Sequence, residues 1–280
     1  MNHWKLTLAY DGTTFHGWQV QPGLPTVQGL LADALHRTVG ERVLPQGSGR
    51  TDAGVHAIGQ VASFALVAPI PPANLHRALN RCLPPSVRVL SVDVVRSDFH
   101  ARHSALRKTY EYRIFPLRPG ASTAASANLP DCICPPTLAP YVWPCPWPLD
   151  LAALNRAAGY VVGTYDFTTF AASDPDLTSR TTPEPTAPTR TIYCSGWRAC
   201  DDLLIYQVTA NGFLHHMVRN LVGTFVQAGA HRLDPDTIPV LLAARNRAAA
   251  GPTAPATGLF LVQVDYPATD NLQPETCNSL

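Results

Sequence analysis

The sequence is poor in charge and has no long apolar run. Asp, Glu, Lys and Arg make up only 15% of its 280 residues, against roughly a quarter in ordinary soluble domains. No apolar stretch reaches the ~18–20 residues that cross a bilayer, so a membrane-spanning helix is not expected. The opening Met1-Asn2-His3-Trp4-Lys5-Leu6-Thr7-Leu8 lacks the basic region and apolar core of an export signal. A cytoplasmic location is therefore the expectation. There is no Cys-x-x-Cys pair among the seven cysteines, and their odd number and irregular spacing exclude a disulfide framework. Cys132, Cys134 and Cys145 lack a second well-spaced ligand pair, so no metal site is expected.

Apolar residues, at 46%, are enough for a sizeable core, and the 27 prolines favour irregular loops over unbroken helices. The net charge of +1 is unevenly spread. Residues 1–120 hold 13 Lys and Arg against 7 Asp and Glu, and residues 121–280 hold 8 against 13. A basic first half suits a phosphate backbone and equally suits an ordinary solvated surface.

Alternation marks strands at Trp4–Tyr10, Gln60–Ala65, Val87–Val95, Tyr110–Phe115, Leu203–Ala210 and Leu259–Tyr266. Thr26 can cap a helix striped by Val27, Leu30, Leu31, Ala34 and Leu35, with Gly40 as its stop. Further helices are expected near 73–82, from Leu151 to Val162, from Leu214 to Phe225 and near 235–247. Pro-rich segments at 116–148 and 174–189 read as inserts. The mixture is α+β. It divides into an N-terminal lobe, 1–105, a C-terminal lobe, 106–268, and a polar tail, 269–280.

The most distinctive stretch is Gly47-Ser48-Gly49-Arg50-Thr51-Asp52-Ala53-Gly54. Its glycines permit tight turns and close backbone approach to a ligand, but Gly and Asp also form ordinary turns. It lacks the Gly-Lys-Ser/Thr of a phosphate-binding loop and the spacing of a dinucleotide fingerprint.

With the residues that follow, Val55-His56-Ala57, Gly59-Gln60-Val61 and Phe64, this stretch resembles the signature of the TruA-type tRNA pseudouridine synthases. Other blocks agree in order. They are Tyr10-Asp11-Gly12, Gly17-Trp18-Gln19, Phe99-His100-Ala101-Arg102, Lys108-Thr109-Tyr110-Glu111-Tyr112, Phe213-Leu214-His215-His216-Met217-Val218-Arg219-Asn220 and Gly258-Leu259-Phe260. Tyr165 departs from the family's common histidine. The resemblance implies two similar lobes of mainly antiparallel sheet flanked by helices, with an active-site cleft between them. It also implies a homodimer acting on tRNA without cofactor or metal, at uridines on the 3′ side of the anticodon stem-loop.

By the same resemblance Asp52 is the nucleophile and Arg219 its cationic partner. Tyr110 stacks on the extruded base, and Arg50 helps to extrude it. Arg102 and Lys108, with Arg77, Arg81 and Arg107, are the expected tRNA-binding cations. His56, His215 and His216 are read as loop and helix-surface residues, since the mechanism requires no histidine. Two other readings compete. A non-catalytic tRNA-binding protein on the same fold would not need Asp52, Tyr110 and Arg219 together. A carboxylate glycosidase would need a second acid, and the Asp52 loop has none.

Overall fold

A computed structural model describes residues 1–118, 132–173 and 188–268. Most of the insert expected at 174–189, residues 119–131 of the other, and the tail from 269 lie outside the described residues. Two compact units emerge: Met1–Arg107 with the chain from Leu261 onward, and Lys108–Phe260. Among the described residues no helix is long and apolar enough to cross a membrane.

In the first unit, β1 (Asn2–Tyr10) pairs antiparallel with β3 (His56–Leu66) and with β4 (Val87–Val95). Strict alternation buries Trp4, Leu6, Leu8 and Tyr10 on one face. Each such apolar side chain contributes about 1.5–3 kcal/mol of burial. The short β2 (Gln46–Gly47) sets Gln46 opposite Ser63 and Gly47 opposite Ala62 on β3. Residues Leu261–Asp265, the greater part of β10 (Leu259–Asp265), complete this unit's order β4-β1-β3-β10. Gly59 lies so close to that strand that a Cβ would sit 2.2 Å from the Val262 carbonyl oxygen.

Helix α1 (Val27–Val39) starts and stops as its sequence predicts. Thr26 accepts a hydrogen bond from the Gly29 amide, and Gly40 closes it at φ 77°. Helix α2 (Pro72–Cys82) buries Leu75 and Leu79 and packs on β4 and α1. Turned away from the Trp4 face, Val61, Val95, Phe99 and Ala101 form a second small core with Val264 and Tyr266.

The second unit is built on β5 (Arg107–Pro116), β9 (Leu203–Ala210), β8 (Thr189–Cys200) and β7 (Gly163–Asp166), hydrogen-bonded antiparallel in that order. A short parallel strand, β6 (Trp143–Cys145), pairs with β5. It belongs to the part of the 116–148 insert that is described. Tyr110, Tyr112 and Ile114 share one buried face of β5, as their alternation predicts. Helices α3 (Leu151–Gly159) and α4 (Met217–Gly229) pack together, with α3 also on β8. Asp150 caps α3 by accepting from the Ala152 amide. A last short helix, α5 (Ile238–Ala244), follows a 3₁₀ turn that Asp234 caps.

Several expectations change, among them the helix expected from Leu151 to Val162, which ends at Gly159. The helix expected from Leu214 begins at Met217, because His216 takes a left-handed conformation at φ 57°. Strand β8 has no counterpart in the sequence reading. Its register shifts between Ile192 and Cys194, and its faces do not alternate cleanly.

Candidate active site

The Asp52 loop joins β2 to β3 in the first unit, and its neighbours hold it on two sides. From below, a buried polar network grips it. The Tyr10 hydroxyl lies 2.8 Å from the Thr51 hydroxyl, and Gln60 Nε2 donates to Tyr10 Oη at 3.3 Å and to the Gly49 carbonyl at 3.0 Å. Ser48 Oγ in turn donates to Gln60 Oε1 at 2.7 Å. Burial pushes the Tyr10 hydroxyl up to about 12, against the pull of its bonds to Thr51 and Gln60. Tyr10 therefore stays a neutral hydroxyl at physiological pH.

From the side, the Phe15–Trp18 segment lies against the loop. The Trp18 amide donates to the Thr51 carbonyl at 3.0 Å and the Gly54 amide donates to the Phe15 carbonyl at 3.3 Å. The other edge of the segment is tied to α1, whose Val27 and Gln28 amides donate to the Gly17 and Trp18 carbonyls. Gly17 has φ 84°, and a Cβ there would stand 2.4 Å from the Thr51 carbonyl oxygen and 3.1 Å from the Asp52 carbonyl carbon. The Trp18 ring is buried against Gly47, where a Cβ would meet it at 2.5 Å.

These contacts leave Thr51 buried, Asp52 half-buried and Arg50 exposed. The arrangement fixes the backbone of a carboxylate that can still be reached. His56 has a framework role: only 1% exposed, its Nδ1 accepts the Gly12 amide at 3.0 Å and lies 3.3 Å from Asp11 Oδ1. Arg102 is exposed in a separate turn of the same unit.

The second unit carries the other candidates. Tyr110, on β5, is buried and meets the Phe213 ring edge-on at 5.0 Å. Lys108, two residues earlier, is half-buried opposite Ala210. Arg219 lies in the first turn of α4, where its Nε donates to the Ala254 carbonyl at 2.8 Å and the Ala254 amide donates back to the Arg219 carbonyl. The loop carrying Ala254 is held in turn by fully buried Asn220. Its Oδ1 accepts from Arg247 at 3.0 Å and from Thr253 at 2.7 Å, while its Nδ2 donates to the Phe170 carbonyl. The direction of Arg219 is thus set by a braced loop. His215 Nδ1 lies 2.9 Å from the Ser173 carbonyl, and its ring stacks on His216 at 3.9 Å.

A family model described as tRNA pseudouridine synthase matches residues 7–104 and 157–267. The chain belongs to the tRNA pseudouridine synthase family. It is 45% identical to the tRNA pseudouridine synthase A of Solibacter usitatus over 267 residues, 95% of this chain and 100% of that protein. It is also 44% identical to the tRNA pseudouridine synthase A of Moorella thermoacetica over 264 residues, covering 94% and 98% of the two chains. The protein of that name from Bacillus pumilus is 40% identical over the same two shares. The segments matched to the family include the Asp52 loop, its Tyr10 and Gly17 supports, Arg102 and Arg219, while Lys108 and Tyr110 fall between them.

Sequence reasoning gave no role to Ser48, Thr51, Gln60, Tyr10 or Gly17. The available signal was polar side chains, Ser63 and Gln60, inside a strand otherwise rich in buried apolar residues. Thr51→Val tests the network. It removes one hydroxyl from a buried pair, and unfolding in urea should show a loss of about 1–2 kcal/mol. The loosened loop should lower kcat roughly tenfold with KM nearly unchanged. Unchanged stability together with unchanged kcat would deny the network any part in holding Asp52.

Proposed function

We propose that this member of the tRNA pseudouridine synthase family isomerises uridines on the 3′ side of the tRNA anticodon stem-loop, with Asp52 as nucleophile. The supporting observation is the half-buried Asp52 carboxylate on a loop pinned by the Tyr10–Thr51–Gln60–Ser48 network and by the Phe15–Trp18 segment. A nucleophile earns its rate by arriving in position without having to be ordered first.

The reaction is an isomerisation. The bond from C1′ to N1 of the base breaks, one from C1′ to C5 forms, C5 gives up its proton and N1 takes one. No electrons are gained or lost overall, so the chemistry calls for no redox partner or cosubstrate. A carboxylate covers the covalent step, and a cation facing it keeps it ionised in a site closed to water. We assign that part to Arg219. A guanidinium has five N–H donors, so its tether to Ala254 is compatible with meeting a carboxylate. Tyr110 packs against the extruded base, Arg50 aids the extrusion, and Arg102 and Lys108 bind the tRNA backbone. The protein is expected to act as a cytoplasmic homodimer, which light scattering of the purified chain would check.

Mapping pseudouridine in tRNA from cells with and without this protein tests the substrate. The modification should vanish from the 3′ side of the anticodon stem-loop and persist elsewhere. An unchanged anticodon arm would refute the assignment.

A further inference from the structure

Arg102 sits in a turn whose backbone is organised by its neighbour His100. The Arg102 amide donates to His100 Nδ1 at 3.1 Å, and the His103 amide reaches the same nitrogen at 3.4 Å. The backbone of His100 is itself closed onto Ser104, whose Oγ accepts the His100 amide at 3.1 Å while its own amide donates to the His100 carbonyl at 2.9 Å. Between His100 and Arg102, Ala101 is completely buried. Its amide donates to Ser63 Oγ at 3.0 Å, and its carbonyl accepts from the Tyr266 hydroxyl at 2.6 Å. With the Phe99 ring packed at a tilt against Tyr266, 5.0 Å between ring centres, the turn is fastened to β3 and to the chain just after β10. Burying Ala101 turns the next residue, Arg102, to solvent, where it is exposed.

We propose that His100 is a positioning residue for tRNA binding: through Nδ1 it fixes the backbone of Arg102, so that this guanidinium meets a backbone phosphate pre-ordered. This rests on the reading of Arg102 as a tRNA contact. A ring nitrogen that accepts two amides must carry no proton, and burial first, then the neighbouring His103 and the Arg102 guanidinium, lower the tendency of His100 to take one. The gain lies in preorganisation. Ordering a long side chain and its loop at the moment of binding costs conformational entropy, and the His100 contact removes part of that cost in advance. The effect belongs to binding, because His100 has no place in the chemistry at Asp52.

The test measures tRNA affinity by filter binding across a salt series, alongside steady-state pseudouridine formation. His100→Ala should weaken binding and raise KM about fivefold to tenfold, leave kcat within twofold, and flatten the slope of log affinity against log salt by about one phosphate's worth, ~0.7–0.9. His100→Asn should restore binding, since an asparagine oxygen accepts the amide two residues on. Adding His100→Ala to Arg102→Ala should weaken binding no further than Arg102→Ala alone. An unchanged salt slope in His100→Ala would overturn the proposal. So would additive losses in the double variant, a fall in kcat with KM unchanged, or a His100→Asn chain that melts like wild type yet binds no better than His100→Ala. If the wild-type chain bound tRNA but made no pseudouridine, the proposed activity would fail while the binding arms still decided the role of His100.

Discussion

Asp52→Asn should abolish pseudouridine formation, with a fall of at least ~10⁴-fold in single-turnover rate, while tRNA affinity stays within about threefold of wild type. The substitution keeps size and shape and removes only the anionic oxygen that can form a covalent bond. When one member of a catalytic unit is deleted, nearly all the acceleration that depends on the unit is lost. The fold should not notice. The bonds that hold the loop run from Thr51, Gly49, Ser48 and Gly54 to Tyr10, Gln60, Trp18 and Phe15. Binding is carried mainly by cations on phosphates, and the variant keeps every one of them. A variant that still modified tRNA at a tenth of the normal rate would remove Asp52 from the chemistry. Wild-type protein that bound tRNA without modifying it would favour the non-catalytic reading.

Gly17→Ala is the second large effect, and it acts without touching substrate. An alanine at φ 84° costs about 1–2 kcal/mol in itself. Here its Cβ would also stand 2.4 Å from the Thr51 carbonyl oxygen and 3.3 Å from the Ala53 amide nitrogen. Both neighbours are backbone, and the segment cannot retreat because α1 holds its other edge through the Gly17 and Trp18 carbonyls. The Asp52 loop must shift, and a displacement of an ångström costs on the order of a hundredfold in rate. We expect kcat to fall by about that factor and stability by about 2–4 kcal/mol. Gly23→Ala is the control. Gly23 also has a positive φ, at 73°, but nothing lies within 4 Å of its Cβ position. It should lose stability from the conformation alone and keep its kcat. Equal kcat in the two variants would show that close approach to the Asp52 loop does not govern catalysis.

Some of this was written plainly in the chain. Helix α1 carries its cap at Thr26, its stripe and its stop at Gly40 in one continuous stretch, so local rules sufficed. Strands β1 and β5 each bury a single face, and alternation gave them away. The start of α4 was obscured because Phe213 and Leu214 continue its apolar rhythm. Only the backbone of His216, at φ 57°, breaks the helix there. Strand β8 was obscured by its shifted register and its largely exposed residues. The candidate site divides the same way. Asp52 stood out because it sits in a distinctive run with recognisable company. The grip on its loop comes from Tyr10, 41 residues from its partner Thr51, and from Gln60, 11 residues from its partner Gly49, and local pattern cannot join either pair. A glutamine in a strand reads as a surface residue until the fold brings Ser48, Gly49 and Tyr10 around it.

The return of Leu261–Asp265 to the first unit bears on how the protein is made. The second unit is a single uninterrupted piece of chain, Lys108–Phe260, while the first is closed only by residues that follow it. Gly59 waits for Val262, and Leu106 donates its amide to Asp265. On the ribosome, β3 therefore keeps an edge covered only at Ala62 and Ser63, by the short β2, through the synthesis of some two hundred residues, and unsatisfied strand edges are the places where nascent chains mispair. The strand that leads out of the Asp52 loop gains its last neighbour only once Leu261–Asp265 has emerged, so a chain released before then carries that loop on an unfinished sheet.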